Sequence, residues 1–335
     1  MAVSFTTPVW GQDVQFSQYY AAQTYLNPGF AGAVHVPRLI FHQRLQWPRL
    51  DSKYITSLLS FDGFSEKYRS GYGVMLFYDN LGANNISTSE IHFQYSYELP
   101  LSQKVTIRPG LQLGFVSRSI NYSNLTFPQQ FDDFYGLISD NNSYDLYGKD
   151  RKFYPDVSAG FIAYSDNFWF SFASNHLNFP NQSFLGKVSR LPVKYSFAAG
   201  YKINLREQSK MAYLASSSSD EMSITPTINY KAQGKSDQAD IGLYFRYSQI
   251  FLGGWYRGIP FKKYNKHLQN NESIVGLAGW IYQNLSFSYS YDLTLSTLRP
   301  AGTRGAHEIN VTYIFKPKKK RKPMKRLPCP NFYNK

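Results

Sequence analysis

The chain of 335 residues contains one cysteine, Cys329. A lone thiol excludes an internal disulfide framework and any zinc site built on cysteines. No run approaches the roughly 20 apolar residues of a membrane-spanning helix. No segment carries helical periodicity either. Acidic residues are few: 22 Asp and Glu stand against 36 Lys and Arg, a formal charge of +14. That excess is local. Residues 316–335 (KPKKKRKPMKRLPCPNFYNK) hold nine of the basic residues and no acidic one, which leaves +5 on everything else. A basic tail on a nearly balanced body is not the footprint of a nucleic-acid-binding domain. GxSxG, P-loop and CxxC patterns are absent, and His92, His176 and His307 lack the spacing of an HExxH pair. His307 and Glu308 are adjacent, but neighbours on a strand point to opposite faces. The expectation is therefore no enzyme, no metal and no cofactor.

What the chain has in quantity is aromatic surface. Tyr and Phe number 28 and 26, yet the mean hydropathy is negative. Strict alternation reconciles the two. In residues 284–296, Leu285, Phe287, Tyr289, Tyr291, Leu293 and Leu295 share one face, opposite Ser286, Ser288, Ser290, Asp292, Thr294 and Ser296. Residues 90–99 set Ile91, Phe93, Tyr95, Tyr97 and Leu99 against Glu90, His92, Gln94, Ser96 and Glu98. Successive strand side chains point to opposite sides, so each segment has one apolar and one polar wall. Turn signals divide the chain into strands at 36–48, 52–63, 69–82, 84–101, 104–121, 155–166, 167–180, 191–205, 222–236, 237–249, 250–261, 272–283, 284–299 and 306–318. Most exceed the five or six residues usual in a soluble sandwich. About fourteen long strands, even in number, predict an all-β protein: a transmembrane antiparallel β-barrel over residues 36–315. Tight connections at Ser165–Asn167, Ser248–Ile250 and Tyr282–Asn284 alternate with long polar ones at 122–154, 180–191, 262–272 and 297–306, the asymmetry expected between the periplasmic and external ends. The connection 206–221 breaks the rule, being long where a short turn is expected. Pro109 and Pro226 fall inside strands and predict bulges or misplaced boundaries.

Parity turns a charged set inward, including Arg38, Arg44, Glu90, Glu98, Arg108, Arg118, Lys194, Lys202, Arg246, Asp292 and Glu308. Two readings are open: a polar interior that fills itself by cross-barrel pairing, or a ligand track or plug-docking surface. The external loop 122–154 is acidic and aromatic, with Asp132, Asp133, Asp140, Asp145 and Asp150. It lacks the spacing of a calcium loop and reads as a protein-binding surface. Residues 1–11 resemble the last part of a secretory signal, truncated or mis-started. Residues 12–35 are too irregular for a strand and predict a segment packed against or inside the periplasmic mouth. The tail reads as lipid-headgroup-binding or as a docking peptide in which Lys318, Lys319, Lys320, Arg321, Cys329, Pro330 and Phe332 carry charge and shape.

Several blocks resemble one known family. Residues 12–32 read QDVQFSQYYAAQTYLNPGFAG, similar to the QDPQFSQY…NPAYAG signature of mature PorP/SprF proteins. Gln12, Asp13, Gln15, Phe16, Ser17, Asn27, Pro28 and Gly32 match it, while Val14 replaces Pro and Gly29-Phe30 replace Ala-Tyr. The resemblance continues through Arg44, Gln46 and Trp47-Pro48, GYGVMLFYDNLG (71–82), PDVSAGFIAY (155–164), Asn175-His176-Leu177, Trp255-Tyr256-Arg257, SYDLTLS (290–296), HEINVTYIF (307–315) and the CPNF ending at 329–332. It covers almost the whole mature chain, in order. It implies an outer-membrane accessory of type IX secretion and gliding in Bacteroidetes-type bacteria. The implied partners are a secreted adhesin with a C-terminal sorting domain, periplasmic or lipoprotein components of the machinery, and outer-membrane lipid, with no nucleic acid. The alternative is an outer-membrane diffusion channel or uptake porin.

Overall fold

A computed structural model describes residues 13–50, 53–82, 86–121, 131–132, 136–137, 150–184, 188–205, 222–265, 268–295 and 303–315. The alternating segments form fourteen wall strands: β1 (Arg38–Gln46), β2 (Tyr54–Ser65), β3 (Ser70–Leu81), β4 (Ile86–Tyr97), β5 (Thr106–Ile120), β6 (Arg151–Tyr164) and β7 (Phe168–Asn175). They continue as β8 (Lys194–Tyr201), β9 (Met222–Gln233), β10 (Ser236–Tyr247), β11 (Ile250–Asn265), β12 (Leu268–Tyr282), β13 (Leu285–Thr294) and β14 (Ala306–Ile314). Each pairs antiparallel with the next, and β14 returns to β1 from Arg38↔Ile314 to Gln46↔Ala306. The sheet is a closed barrel, and closure leaves no strand edge with unpaired backbone groups.

The polar and apolar faces lie where alternation places them. Leu111, Leu113 and Phe115 of β5 point outward at about 60% exposure, while Arg108 on the opposite parity is fully buried. On β13, Leu285, Phe287, Tyr289 and Leu293 face out, and Ser286, Ser288, Ser290 and Asp292 are buried inside. The interior is not polar throughout, however. Leu58, Met75, Phe77, Tyr244, Phe251 and Trp255 also turn inward and are buried. GYGVMLFYD and the stretch around 250–256 are apolar on both parities, because those strands meet apolar matter on both sides.

Strand edges differ from the sequence expectation. The segments expected at 167–180 and 191–205 shorten to β7 and β8, while β6, β11 and β12 reach further toward the long connections. Pro109 and Pro226 do not create bulges. Ser96↔Gly110 is followed by Leu99↔Ile107 in the same register, and Gly200↔Thr227 by Ile203↔Ile224. Each proline sits where pairing on one side pauses, so its missing N–H leaves no ladder partner unmet. The register shifts lie instead between β11 and β12, at Arg257/Gly258 and beyond. Tight turns at Ser248 and Gln283 carry positive φ of 53° each. The connection 206–221, residues 1–12 and the tail 316–335 lie outside the described residues.

Depth sets the expected cost of charge on the outer wall. Leu76 lies mid-strand in β3, and Leu76→Arg should destabilise the barrel in vesicles by about 2–4 kcal/mol. Leu293→Arg, near the end of β13, should cost about 0–1 kcal/mol. Urea unfolding in lipid vesicles measures both, and equal losses would contradict the assigned depths.

Candidate functional site

Residues 13–37 do not continue the wall. They run inside it, through one helical turn, α1 (Gln23–Leu26), and a 3-10 turn at Pro28–Phe30. Their contacts reach both ends of the barrel. Asp13 bonds Lys194, at the start of β8, and Gln233, at the end of β9, both at the end carrying the long connections. Ala31 and Gly32 bond Ser96 and Asp62 toward the short-turn end, from which β1 departs. The sequence predicts this segment packed against or inside the periplasmic mouth and helping to close the lumen. Its described part lies inside and reaches further, with contacts from the short-turn end to the long-connection end of the wall.

The middle of the segment meets the charged set. Ser17 and Gln18 donate their backbone N–H groups to Glu308 at 2.6 and 2.8 Å. The Ser17 hydroxyl donates to Asp292 at 2.5 Å. Arg44 donates to Asp292 at 2.9 Å and pairs with Glu308, which His42 approaches at 3.1 Å. Arg257 bridges Asp240 at 2.9 Å and Asp292 at 3.1 Å, and reaches the Ser17 hydroxyl at 2.9 Å. All these side chains are buried. Buried carboxylates this close persist only when guanidinium groups and hydrogen-bond donors replace water around them. Two of those donors are backbone groups of the segment.

A second cluster fixes the other end. Arg38 clasps Asp62 with contacts of 2.9 and 3.2 Å, and Asp62 also accepts from the Gly32 N–H at 2.8 Å. Arg108 donates to the Ala31 carbonyl at 2.7 Å and to Glu98 at 2.8 Å. Between these clusters Asn27 donates to the Phe161 and Phe172 carbonyls at 2.9 and 2.8 Å and accepts from the Gly29 N–H at 2.8 Å. Pro28 starts the 3-10 turn, where its lost N–H costs nothing. The turn lies on bare backbone: a Cβ on Gly110 would come within 2.3 Å of the Gly29 nitrogen, and one on Gly71 within 1.9 Å of the Ala31 oxygen. Phe16, Tyr25 and Phe77 pack with ring centroids 5.1 to 6.4 Å apart, and Tyr20 lies 4.8 Å from Tyr244.

At the long-connection end Asp13 lies between two cations, with His176 at 2.8 Å and Lys194 at 2.7 Å. His176 also contacts Asp156 at 2.7 Å. Burial opposes the charge on Asp13, but His176 and Lys194 hold its carboxyl well below the usual range. Burial likewise opposes the charge on His176, yet Asp13 and Asp156 push its pKa up to about 10. The imidazolium therefore persists at neutral pH, at a residue in left-handed backbone (φ 61°).

Of the inward residues expected from sequence, Arg44, Asp292 and Glu308 converge, whereas Arg108 belongs to the second cluster. Glu90 pairs with His92 at 2.7 Å, and Arg246 lies apart, donating to the Ser248 carbonyl at 3.2 Å. Asp13, Gln15, Phe16, Ser17, Asn27, Pro28 and Gly32 all lie within the barrel, while Gln12 is outside the described residues. So are Lys318, Lys319, Lys320, Arg321, Cys329, Pro330 and Phe332. Sequence reasoning missed His42, Asp62, Asp240 and Arg257 as partners. Inward parity was the available signal, since each lies on the buried face of its strand.

A threaded N-terminal segment built on the QFSQ…NPGFAG residues is joined by a family comparison. The model of the type IX secretion system membrane protein PorP/SprF matches residues 10–313. The chain belongs to the PorP/SprF family. It is accordingly an outer-membrane β-barrel protein of type IX secretion. No curated protein sequence matches this PorP/SprF chain. Among solved structures, outer membrane protein Omp33 of Acinetobacter baumannii is 7% identical, covering 85% of this chain and all of that one, with a TM-score of 0.44. The toluene transporter TodX of Pseudomonas putida is 10% identical over 89% of this chain and 92% of its own, with a TM-score of 0.45. The KdgM porin bound to disordered oligogalacturonate is 9% identical over 83% and 99%, with a TM-score of 0.34.

Two outcomes follow from the clusters. Arg44→Met leaves Asp292 and Glu308 short of a counter-ion and should destabilise the folded barrel by about 3–5 kcal/mol, read from the temperature at which the folded band is lost on unheated gels. The Asp13–His176 contact has a defined pH window. The Asp13 contribution is present above its unfolded pKa near 3.8 and lost as pH falls further. The His176 contribution is complete below its unfolded value of 6.5 and lost as pH rises through about 10. A spin label at Val14→Cys, in a Cys329→Ser background, should stay immobile between these limits and loosen beyond either.

Proposed function

We propose that this barrel is an anchoring accessory, neither an enzyme nor a diffusion channel. It holds a large exported adhesin through the adhesin's C-terminal sorting domain, and its periplasmic parts couple to the secretion and gliding machinery. The observation that carries this reading is the segment 13–37, tied to the wall at both ends and in the middle. A simple porin gains nothing from filling its lumen with its own chain and neutralising its inward charges against it. In this reading the short-turn end faces the periplasm. The tail Lys316–Lys335 leaves β14 on that side and docks a periplasmic partner through Cys329, Pro330 and Phe332 beside its basic run.

Planar-bilayer recording tests the closed lumen. Intact protein should show no large steady current, and deletion of Gln12–Ala31 should raise conductance, with folding checked by heat-modifiability. A large steady current from the intact chain would identify a porin. The tail is tested in cells by comparing truncation after Pro317, a scrambled basic run, and Phe332→Ala with Cys329→Ser. Docking predicts that the double substitution impairs adhesin display as the truncation does. A double mutant matching wild type would leave charge alone as the tail's contribution.

A further inference from the structure

The outer surface changes character where β14 closes onto β1. Over most of this seam the outward parity is apolar, as at Leu39, Phe41, Ile309 and Tyr313. Toward the long connections Gln43 of β1 is exposed on outward parity, directly across from Ser57 of β2. Its side chain has no hydrogen bond to a described residue. His307 of β14 faces out diagonally from Gln43, since Ile309 is paired with Gln43 and His307 with Leu45. Two rings flank it: the Tyr289 hydroxyl lies 2.7 Å from its Nδ1, and the Tyr291 ring centroid is 5.0 Å away. Above this polar strip stand three exposed cations, Arg304 before β14 and Arg49 and Lys53 in the β1–β2 connection. They are neighbours because the Trp47 N–H donates to the Gly305 carbonyl at 2.8 Å and Tyr54 pairs with Gln46. None of the three has an ion pair with a described residue. Asp292 and Glu308, the carboxylates of the adjoining strands, face inward and are already paired. Asp51 lies outside the described residues, and even counting it the corner keeps an excess of positive charge.

The turn that carries Arg304 is held in a costly shape. Arg304 and Trp47 both adopt left-handed backbone, at φ 57° and 55°, and Gly305 follows at 62°. A Cβ on Gly305 would collide with the Asp292 carbonyl oxygen. Left-handed residues other than glycine persist only where their surroundings over-determine them, so the fold fixes where this guanidinium emerges. Polar side chains on a lipid-facing wall are costly unless a partner meets them. Clustered cations repel until an anion joins them. One ligand satisfies both. A phosphate pairs with guanidinium and ammonium groups. The sugar that bears it offers hydroxyl and amide groups to Gln43 and His307, and its acyl chains lie along Phe41, Leu293 and Ile309. We propose that this corner binds a phosphorylated glycolipid of the external leaflet, with Arg49, Lys53 and Arg304 on its phosphate. A phospholipid or inorganic phosphate shares the anion, but the first brings no sugar ring and the second no acyl chains. The inference takes the long connections as external and does not depend on the anchoring role.

The experiment is native mass spectrometry of the full chain in detergent micelles, titrated with monophosphoryl lipid A. Lipid A should remain bound, with its dephosphorylated form and phosphatidylglycerol held ~10-fold more weakly or worse. Replacing Arg49→Gln, Lys53→Gln and Arg304→Gln together should weaken lipid A by a similar factor. Arg151→Gln, Arg190→Gln and Lys235→Gln remove the same charge from exposed positions elsewhere on that rim and should leave binding within about twofold. Gln43→Leu should narrow the preference for lipid A over phosphatidylglycerol. Heat-modifiability should match wild type in every variant, because all the substituted side chains are exposed. Equal retention of the three lipids, equal losses in the two triple variants, an unchanged preference in Gln43→Leu, or no retention of lipid A would overturn the proposal. So would full displacement of lipid A by millimolar inorganic phosphate, which would assign the corner to the free anion.

Discussion

Asp292 and Glu308 lie one strand apart on the inner wall with no solvent to hold their charge. Taking a carboxylate out of water costs several kcal/mol unless other dipoles and charges stand in for the lost hydration. Here the replacement is shared. Arg44 and Arg257 come from the wall, and the Ser17 hydroxyl with the N–H groups of Ser17 and Gln18 comes from the segment. Neither part satisfies the carboxylates alone. The lumen without the segment would expose a crowded pair of anions to whatever entered it, and the segment without the wall would leave its own N–H groups unmet. The aromatic contacts on either side of this level and the Arg38–Asp62 clasp below it depend on the same placement.

The family relationship gives this arrangement a setting, the outer membrane and type IX secretion, but does not explain it. The explanation lies in the division of labour along the lumen. Toward the short turns, guanidinium groups hold backbone carbonyls and a tight turn lies on glycines. In the middle, charge is cancelled. Toward the long connections the network ends on Asp13, held between His176 and Lys194.

Much of the wall was legible in sequence because alternation is local. The assignments of Phe93, Tyr95, Leu111, Leu113 and Phe287 to the outside, and of Arg108, Asp292 and Glu308 to the inside, needed only parity. Tight turns at Ser165, Ser248 and Gln283 were legible for the same reason. The interior was not. Ser17 and Glu308 are separated by 291 residues, and nothing in either neighbourhood encodes the other. Apolar residues on both faces of β3 and at the start of β11 were the visible hint that the lumen holds protein. The prolines misled for an instructive reason. Pro109 and Pro226 do break a ladder, but only on one side, and a barrel strand has two.

The seam between β1 and β14 has a topological consequence. The chain enters β1 from inside the ring that β1 and β14 close. Residues 13–37 are held at both ends of that ring, and their widest parts, Tyr19, Tyr20 and Phe30, are locked among inward-facing wall residues. Pulling such a segment through a finished ring would strip every one of its buried polar contacts at once, with no water to replace them. The low-cost route is to wrap the wall around the segment and join the first strand to the last afterward. The segment then acts as a mandrel, and the shape of the finished barrel is set from within.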